Sequence, residues 1–212
     1  MRQFETKEAS KVLSGADRKI ARIIEKVGPL NIPLKSIHNP FRTLTESITY
    51  QQLHSKAAAT ILSRFKALYP GRRFPAPDDV MATSDDQMRG AGLSRAKTAA
   101  IKDLASKILD GTVPSSGRLI RMEDEEVIEH LIQVRGIGRW TVEMLLIFGY
   151  GRPDVLPATD YGVQKGFAGI YRKGEMPSPK VILEYGEKWR PFRTTASLYL
   201  WRAVDLGLLS SD

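Results

Sequence analysis

Cysteine is absent from the 212 residues. That removes disulfides, zinc ribbons, thiol nucleophiles and cysteine-ligated iron–sulfur clusters, and it is compatible with a reducing compartment. Long hydrophobic runs are missing as well. No uninterrupted apolar stretch reaches the length of a bilayer-spanning helix, and the opening Met1-Arg2-Gln3-Phe4-Glu5-Thr6-Lys7-Glu8 has no apolar signal core. The expectation is a cytoplasmic protein with no membrane partner. Histidine is scarce, and His38, His54 and His130 lack the spacing of zinc ligands. Alternating strand patterns and internal repeats are not found either.

What remains is an ordinary globular composition, 42% hydrophobic and 26% charged, in a chain long enough to fold without a metal or disulfide staple. The charge is one-sided: 32 Lys and Arg against 24 Asp and Glu leave a net +8, which favours a polyanionic partner, nucleic acid before membrane surface. Helical periodicity runs through most of the chain. Asp17 to Val27 carries apolar residues on a helical period and stops at Gly28-Pro29. Phe41 to Tyr69 reads as two helices with a break at Gln51-Gln52-Leu53-His54, Ser55 capping the second and Gly71 ending it. Ser84 with Gln87 forms a capping-box pattern, Ser94 opens a long amphipathic run to Asp110-Gly111, and Asp124 is placed to cap a helix bearing Val127, Ile128, Leu131 and Ile132 on one face. The fold class is all-α.

Leu131 to Phe148 reads as helix, glycine hairpin, helix. Gly136 and Gly138 permit positive φ and close backbone approach, and Ile137 between them can anchor the turn. The amides opening the second helix lack intrahelical acceptors and suit a phosphate, with Arg139 and Thr141 as side-chain donors. Such contacts position a duplex without reading its sequence. A dinucleotide fingerprint is excluded, because Thr141 stands where the third glycine would and no strand precedes.

This hairpin, followed by Gly149-Tyr150-Gly151-Arg152-Pro153-Asp154-Val155-Leu156-Pro157-Ala158-Thr159-Asp160, resembles the helix-hairpin-helix DNA glycosylase superfamily, and within it the alkylbase, 3-methyladenine II type. Phe41 to Ala59 and Trp189-Arg190-Pro191-Phe192-Arg193 leading to Trp201 resemble it too, in the compact form without an N-terminal β domain. The resemblance implies a two-lobed helical fold with a DNA-binding cleft: residues 1–39 with 150–212 as one lobe, and 40–149, with the hairpin at about 123–149, as the other. It implies a monomer acting on double-stranded DNA that contains alkylated bases, in the nucleoid of a bacterium or the nucleus of a eukaryote.

In that frame Asp160 is the expected catalytic carboxylate. Thr159 is a fair N-cap, which puts Asp160 in a first helical turn where the ionised form is favoured. A fixed anion stabilises the positive charge that develops on the sugar as the base leaves, and it can orient the attacking water. Asp154 is the rival, off the family position. A cationic alkylpurine leaves without protonation, so the second carboxyl of ordinary glycosidases is dispensable. Lyase relatives carry lysine after the position of Arg139; here it is Trp140, so hydrolysis to an abasic site without strand cutting is expected. Trp140, Tyr161 and Trp201 occupy pocket positions, where aromatic faces suit an electron-poor flipped base; Met144 lies one turn beyond Trp140.

The break at Thr49 to His54 can supply the wedge that fills the gap left by flipping, with Gln51 and His54 as leading candidates and Thr49 and Tyr50 as alternatives. Main-chain carbonyls of Ile132, Val134 and Gly136 resemble a Na+ or K+ site of family hairpins; no other cofactor is required. Two rival functions stay open at this level: a non-catalytic DNA-binding repair module, and a glycosylase for another lesion class.

Overall fold

Helix boundaries follow the capping residues. The computed structural model describes residues 3–34, 37, 39–172 and 174–209; Met1, Arg2 and His38 lie outside them. Helix α1 (Lys7–Ala16) is separated from α2 (Arg18–Val27) by Asp17, whose extended backbone (φ −147°) lets its carboxylate accept the amides of Lys19 at 2.9 Å and Ile20 at 3.4 Å. Gly28, at φ +74°, closes α2 at the predicted stop. Asn39 caps α3 (Pro40–Tyr50) through the Arg42 amide, with proline in the first turn. Next come α4 (Ser55–Ala67) and α5 (Pro77–Ala82). The Ser84–Gln87 box opens α6 (Asp85–Gly90), and Ser94 caps α7 (Arg95–Leu109) through the Lys97 amide. After α8 (Ser116–Leu119) and α9 (Asp124–Leu131), helix α10 (Arg139–Leu145) runs into a π-helical turn, Leu146–Tyr150. The chain finishes with α11 (Tyr161–Tyr171), α12 (Pro179–Gly186), a 3-10 turn Glu187–Trp189 and α13 (Arg193–Asp205).

The all-α class holds, with one addition: Gln3–Glu5 pairs antiparallel with Asn31–Pro33, segments of 3 residues each, too short to carry an alternation signal. Two caps shift by one residue. Ser55 is the first residue of α4 and His54 its N-cap, while α9 is entered through Glu123, whose amide donates to Glu126 Oε2 at 2.8 Å. Among the described residues no helix is long and apolar enough to cross a membrane.

Two compact units emerge: Met1–Ser36 with Glu143–Asp212, the terminal unit, and Ile37–Val142, the central unit. The dividing point lies inside α10, after Val142, rather than beyond the helix at 149. Residues 143–149 go with the terminal unit, as the stacking of Phe148 in the π turn on Trp201 shows, and so does the loop that follows. A Cβ on Gly151 would lie 2.8 Å from Leu34 Cδ1, and the Val155 amide donates to Thr194 Oγ1 at 3.0 Å.

In the central unit α7 packs against α3, α5 and α6, burying Phe41, Leu44, Ile48, Val80, Met88, Ile101 and Leu104. The terminal unit closes over Leu13, Ile20, Ile23, Val163, Phe167, Trp189 and Leu200. Asp17 sits in that core, only 4% exposed. Beyond capping α2, its carboxylate accepts Trp189 Nε1–H at 3.0 Å and Tyr171 O–H at 2.9 Å and pairs with Lys188 Nζ at 3.1 Å. Burial pushes this carboxyl up, but the bonds from Trp189, Lys188, Tyr171 and the Lys19 amide outweigh it and hold Asp17 below its ordinary value. One carboxylate thus ties α2 to α11 and to the turn before α13.

A carboxyl depressed in the folded state contributes stability that is complete above its unfolded value, near pH 4, and is lost as pH falls through the folded value. Asp17→Asn should therefore cost about 2 kcal/mol at neutral pH and flatten the acid limb of the stability curve. Thermal melts of both proteins from pH 7 down to pH 3 measure this; equal acid slopes would remove Asp17 as a contributor.

Candidate functional site

In the terminal unit the segment Val155–Ala158 is buried, Thr159 turns outward, and Asp160 is the N-cap of α11. The expected cap was Thr159. Asp160 takes the position because its own carboxylate reaches the Val163 amide, Oδ1 accepting at 2.9 Å. The same Oδ1 accepts Trp201 Nε1–H at 2.7 Å. An indole N–H and a backbone amide only donate, so both contacts select an accepting carboxylate oxygen and fix its direction.

Trp201 reaches Asp160 because α11 has no side chains where α13 crosses it. A Cβ on Gly162 would lie 2.6 Å from Trp201 Cδ1, and one on Gly166 would lie 2.6 Å from the Leu200 carbonyl oxygen. These glycines, four residues apart on one helix face, set the closeness of the two helices. On its other side the Trp201 ring stacks with Phe148 of the π turn, centroids 5.9 Å apart at 28°. Tyr161, next to Asp160, is 68% exposed. The structure thus brings Asp160, Tyr161 and Trp201 together.

Asp154 is differently occupied. Its Oδ1 accepts Arg193 Nε–H at 2.8 Å, Oδ2 accepts Arg193 from the second nitrogen at 3.0 Å, and Arg190 donates to Oδ2 at 2.6 Å. Arg193 also binds the Asp154 carbonyl at 3.0 Å. A carboxylate held in a two-pronged arginine fork is a structural tie between the loop and α13. Glu187 joins the cluster, its carboxyl held below the ordinary range chiefly by Arg190.

In the central unit the hairpin between α9 and α10 has Gly136 at φ +78°, with Ile137 buried beneath it at 4% exposure. Gly138 does not use positive φ. A Cβ there would meet nothing within 4 Å, so its smallness leaves an open approach to the backbone rather than relieving a clash. Among the described residues no acceptor takes the amides of Gly136 and Gly138. The turn is clamped from α7: Asp103 Oδ2 accepts the Arg135 amide at 2.7 Å, and Lys107 Nζ binds Asp103 and the Gln133 carbonyl, the latter at 2.6 Å. Although burial pushes the Asp103 carboxyl up, the Arg135 amide and Lys107 hold it below its usual value.

Arg139 is exposed and forms a two-pronged pair with Glu125. Thr141 is enclosed at 9% exposure, and its amide donates to the Gly138 carbonyl. Trp140 presents 47% of its surface. Of the expected cation ligands, the Gly136 carbonyl accepts Gln51 Nε2–H at 2.9 Å and the Val134 carbonyl accepts the Ile137 amide at 3.0 Å. A carbonyl has two lone pairs, so these neutral oxygens fit Na+ or K+ provided Gly136 is shared with Gln51.

The turn between α3 and α4 sorts its own residues. Thr49 is fully buried and bonds the Thr45 carbonyl, which removes it as an inserting side chain. Tyr50 and Leu53 are 39% and 40% exposed, and Gln52 and His54 lie in solvent. Gln52 adopts φ +55°, the one non-glycine residue with positive φ among the described residues. Gln52 and Leu53 lie within the expected break but were not among its leading side chains, and the Gly162–Gly166 face was missed at the sequence level. The signal for the last was visible in Tyr161-Gly162-Val163-Gln164-Lys165-Gly166.

The chain is similar to known proteins over most of its length. The model of the HhH-GPD superfamily base excision DNA repair proteins matches residues 45–191. DNA-3-methyladenine glycosylase 1 of Schizosaccharomyces pombe is 38% identical over 197 residues, 92% of this chain and 86% of that protein. A solved 3-methyladenine DNA glycosylase from the same organism, in complex with abasic DNA, is similar with a TM-score of 0.80 and 36% identity, covering 97% of this chain and 100% of that one. A DNA-3-methyladenine glycosidase of Bacillus halodurans gives a TM-score of 0.89 at 35% identity, covering 99% and 97% of the two chains. With the hairpin, the following loop and the capping aspartate all inside the matched residues, the chain belongs to the HhH-GPD superfamily of base excision DNA repair proteins.

Proposed function

We propose that this protein is a monofunctional DNA glycosylase that extrudes alkylated purines, 3-methyladenine and 7-methylguanine among them, from duplex DNA and hydrolyses the N-glycosidic bond to leave an abasic site. The observation that carries the reading is the Asp160 carboxylate, aimed by Val163 and Trp201 beside an exposed Tyr161. As the bond to a cationic base lengthens, positive charge grows on the sugar, and a preoriented anion lowers the barrier without reorganising. The same carboxylate accepts a proton from the attacking water. No acid is needed for a base that already carries positive charge. With Trp140 after Arg139 the hairpin offers no amine there, so the strand stays uncut.

The Gly136 and Gly138 amides and Arg139 take up backbone phosphates, while Gln51, Gln52, Leu53 and His54 form the inserting turn. In the terminal unit the exposed ring of Tyr161 offers a π face to an electron-poor base, and Trp201 acts through its N–H on Asp160; in the central unit Trp140 is likewise exposed. Hydrolysis requires no cofactor. A Na+ or K+ ion on the carbonyls of Ile132, Val134 and Gly136 would add positive charge beneath a phosphate. The enzyme acts as a monomer, in whichever compartment holds the DNA.

Two experiments test this. Asp160→Asn keeps an accepting oxygen for Val163 and Trp201, so the fold should survive while single-turnover release of 7-methylguanine drops by roughly 10²–10³-fold. Asp154→Asn should do the reverse, lowering stability by about 1–3 kcal/mol through its arginine ties with little effect on the rate of the folded protein. Interchanged outcomes would move the catalytic assignment to Asp154. For binding, duplex affinity should fall with salt and depend little on sequence, and Arg139→Ala should flatten the log–log salt slope by about one unit. Exchanging Glu125 for a phosphate costs little, because an exposed pair contributes only about 0–1 kcal/mol. An unchanged slope would take Arg139 out of the interface.

A further inference from the structure

Lys97 stands where a cation is disfavoured. It lies in the first turn of α7, at the positive end of the helix dipole, half-buried, and among the described residues no carboxylate pairs with it. What it does touch is the end of α3. Its Nζ donates to the Thr49 carbonyl at 2.7 Å and to the Gln51 carbonyl at 2.9 Å. These oxygens belong to the C-terminal end of a helix, where carbonyls lack intrahelical partners and the dipole is negative. The ammonium caps α3 from outside, at the point where the chain enters the Gln51–His54 turn.

That turn has a second tether and a built-in strain. Gln51 Nε2–H reaches the hairpin carbonyl of Gly136 at 2.9 Å, and Gln52 holds φ +55° with no glycine to ease it. The hairpin is itself fixed by α7, through Asp103 and Lys107 on the Arg135 amide and the Gln133 carbonyl. Ala100, between them, lies alongside the hairpin: a Cβ on Gly136 would stand 3.6 Å from the Ala100 Cβ, in ordinary contact. One helix therefore holds both elements, the turn at Lys97 and the hairpin at Asp103, about 9 Å apart along its axis.

We propose that Lys97 is a positioning residue for base extrusion: it pins the Gln51–His54 turn at a set spacing from the hairpin, so that the turn meets the duplex already in its inserting conformation. The inference rests on the glycosylase reading, which gives the turn a duplex to enter. A turn ordered only on contact would lose conformational entropy at that moment, and the extruded state would be less populated. The effect falls on extrusion, not on bond cleavage. It should be largest where the lesion is paired and smallest where nothing opposes it.

The test compares single-turnover release of 7-methylguanine from two duplexes, one with the lesion opposite cytosine and one with it opposite an abasic analogue. Lys97→Met removes both bonds while keeping the stem. Release from the paired duplex should fall at least about tenfold, the scale of one charge-assisted hydrogen bond, with a clearly smaller fall on the unopposed lesion. Hydrogen exchange gives a readout independent of activity: the amides of Gln51 and Leu53, bonded to the Ser47 and Tyr50 carbonyls, should exchange faster while those of α9 do not change. If Lys97→Met does not fold, Lys97→Gln, still a donor but too short for both carbonyls, carries the same comparison. Equal falls on both duplexes, or no fall with unchanged exchange, would overturn the inference. A wild-type chain that releases no base from either duplex would instead overturn the proposed function, and the exchange data would still report whether Lys97 holds the turn.

Discussion

The terminal unit depends on how closely α13 can lie against α11. Gly162 and Gly166 remove the side chains that would keep the helices apart, and the Trp201 indole then reaches the N-cap of α11. Asp160 serves two purposes there. As a cap it satisfies an amide that the helix cannot, and as an acceptor from Trp201 it is fixed in one direction. Stacking of Trp201 on Phe148 brings the π turn into the same arrangement. A carboxylate so constrained needs little reorganisation when positive charge appears beside it, which is the property the proposed reaction asks of it.

Asp17 and Asp154 show what carboxylates do in this unit when they are structural. Asp17 is buried among Trp189, Tyr171 and Lys188, and Asp154 is locked in the Arg193 fork. Both join segments far apart in sequence, and both are surrounded by groups of opposite polarity. Asp160 differs in having a neighbour, Tyr161, that is largely exposed. The central unit repeats the logic with α7 as its rigid member, carrying Asp103 and Lys107 to the hairpin.

Local signals were legible in the sequence, and signals that depend on distant partners were not. Gly28, the Ser84–Gln87 box, Ser94 and the break at Gln51–His54 are settled within a few residues, and the structure follows them. Thr159 and Asp160 are both able caps. What decides between them is that the Asp160 carboxylate reaches the Val163 amide; that the same oxygen is also claimed by Trp201 from another helix is a contact no local rule registers. The same holds for Asp154, whose arginines lie far along the chain, and for Arg139, whose partner Glu125 stands across the hairpin. Gly136 and Gly138 both permit positive φ; only Gly136 uses it, and only coordinates reveal which. For Trp201 the resemblance implies a pocket ring, and the structure adds what the sequence does not show, an N–H bonded to Asp160 and a ring stacked on Phe148.

The proposed reaction depends on that N–H. Trp201→Phe keeps a ring to stack on Phe148 and removes the donor to Asp160, so single-turnover release of 3-methyladenine from a methylated duplex isolates the contact. The expected result is a folded protein that binds duplex as the wild type does and releases base roughly 10–100-fold more slowly, the cost of one hydrogen bond to a charged group. Release at the wild-type rate would show that Asp160 needs no aiming and would contradict it.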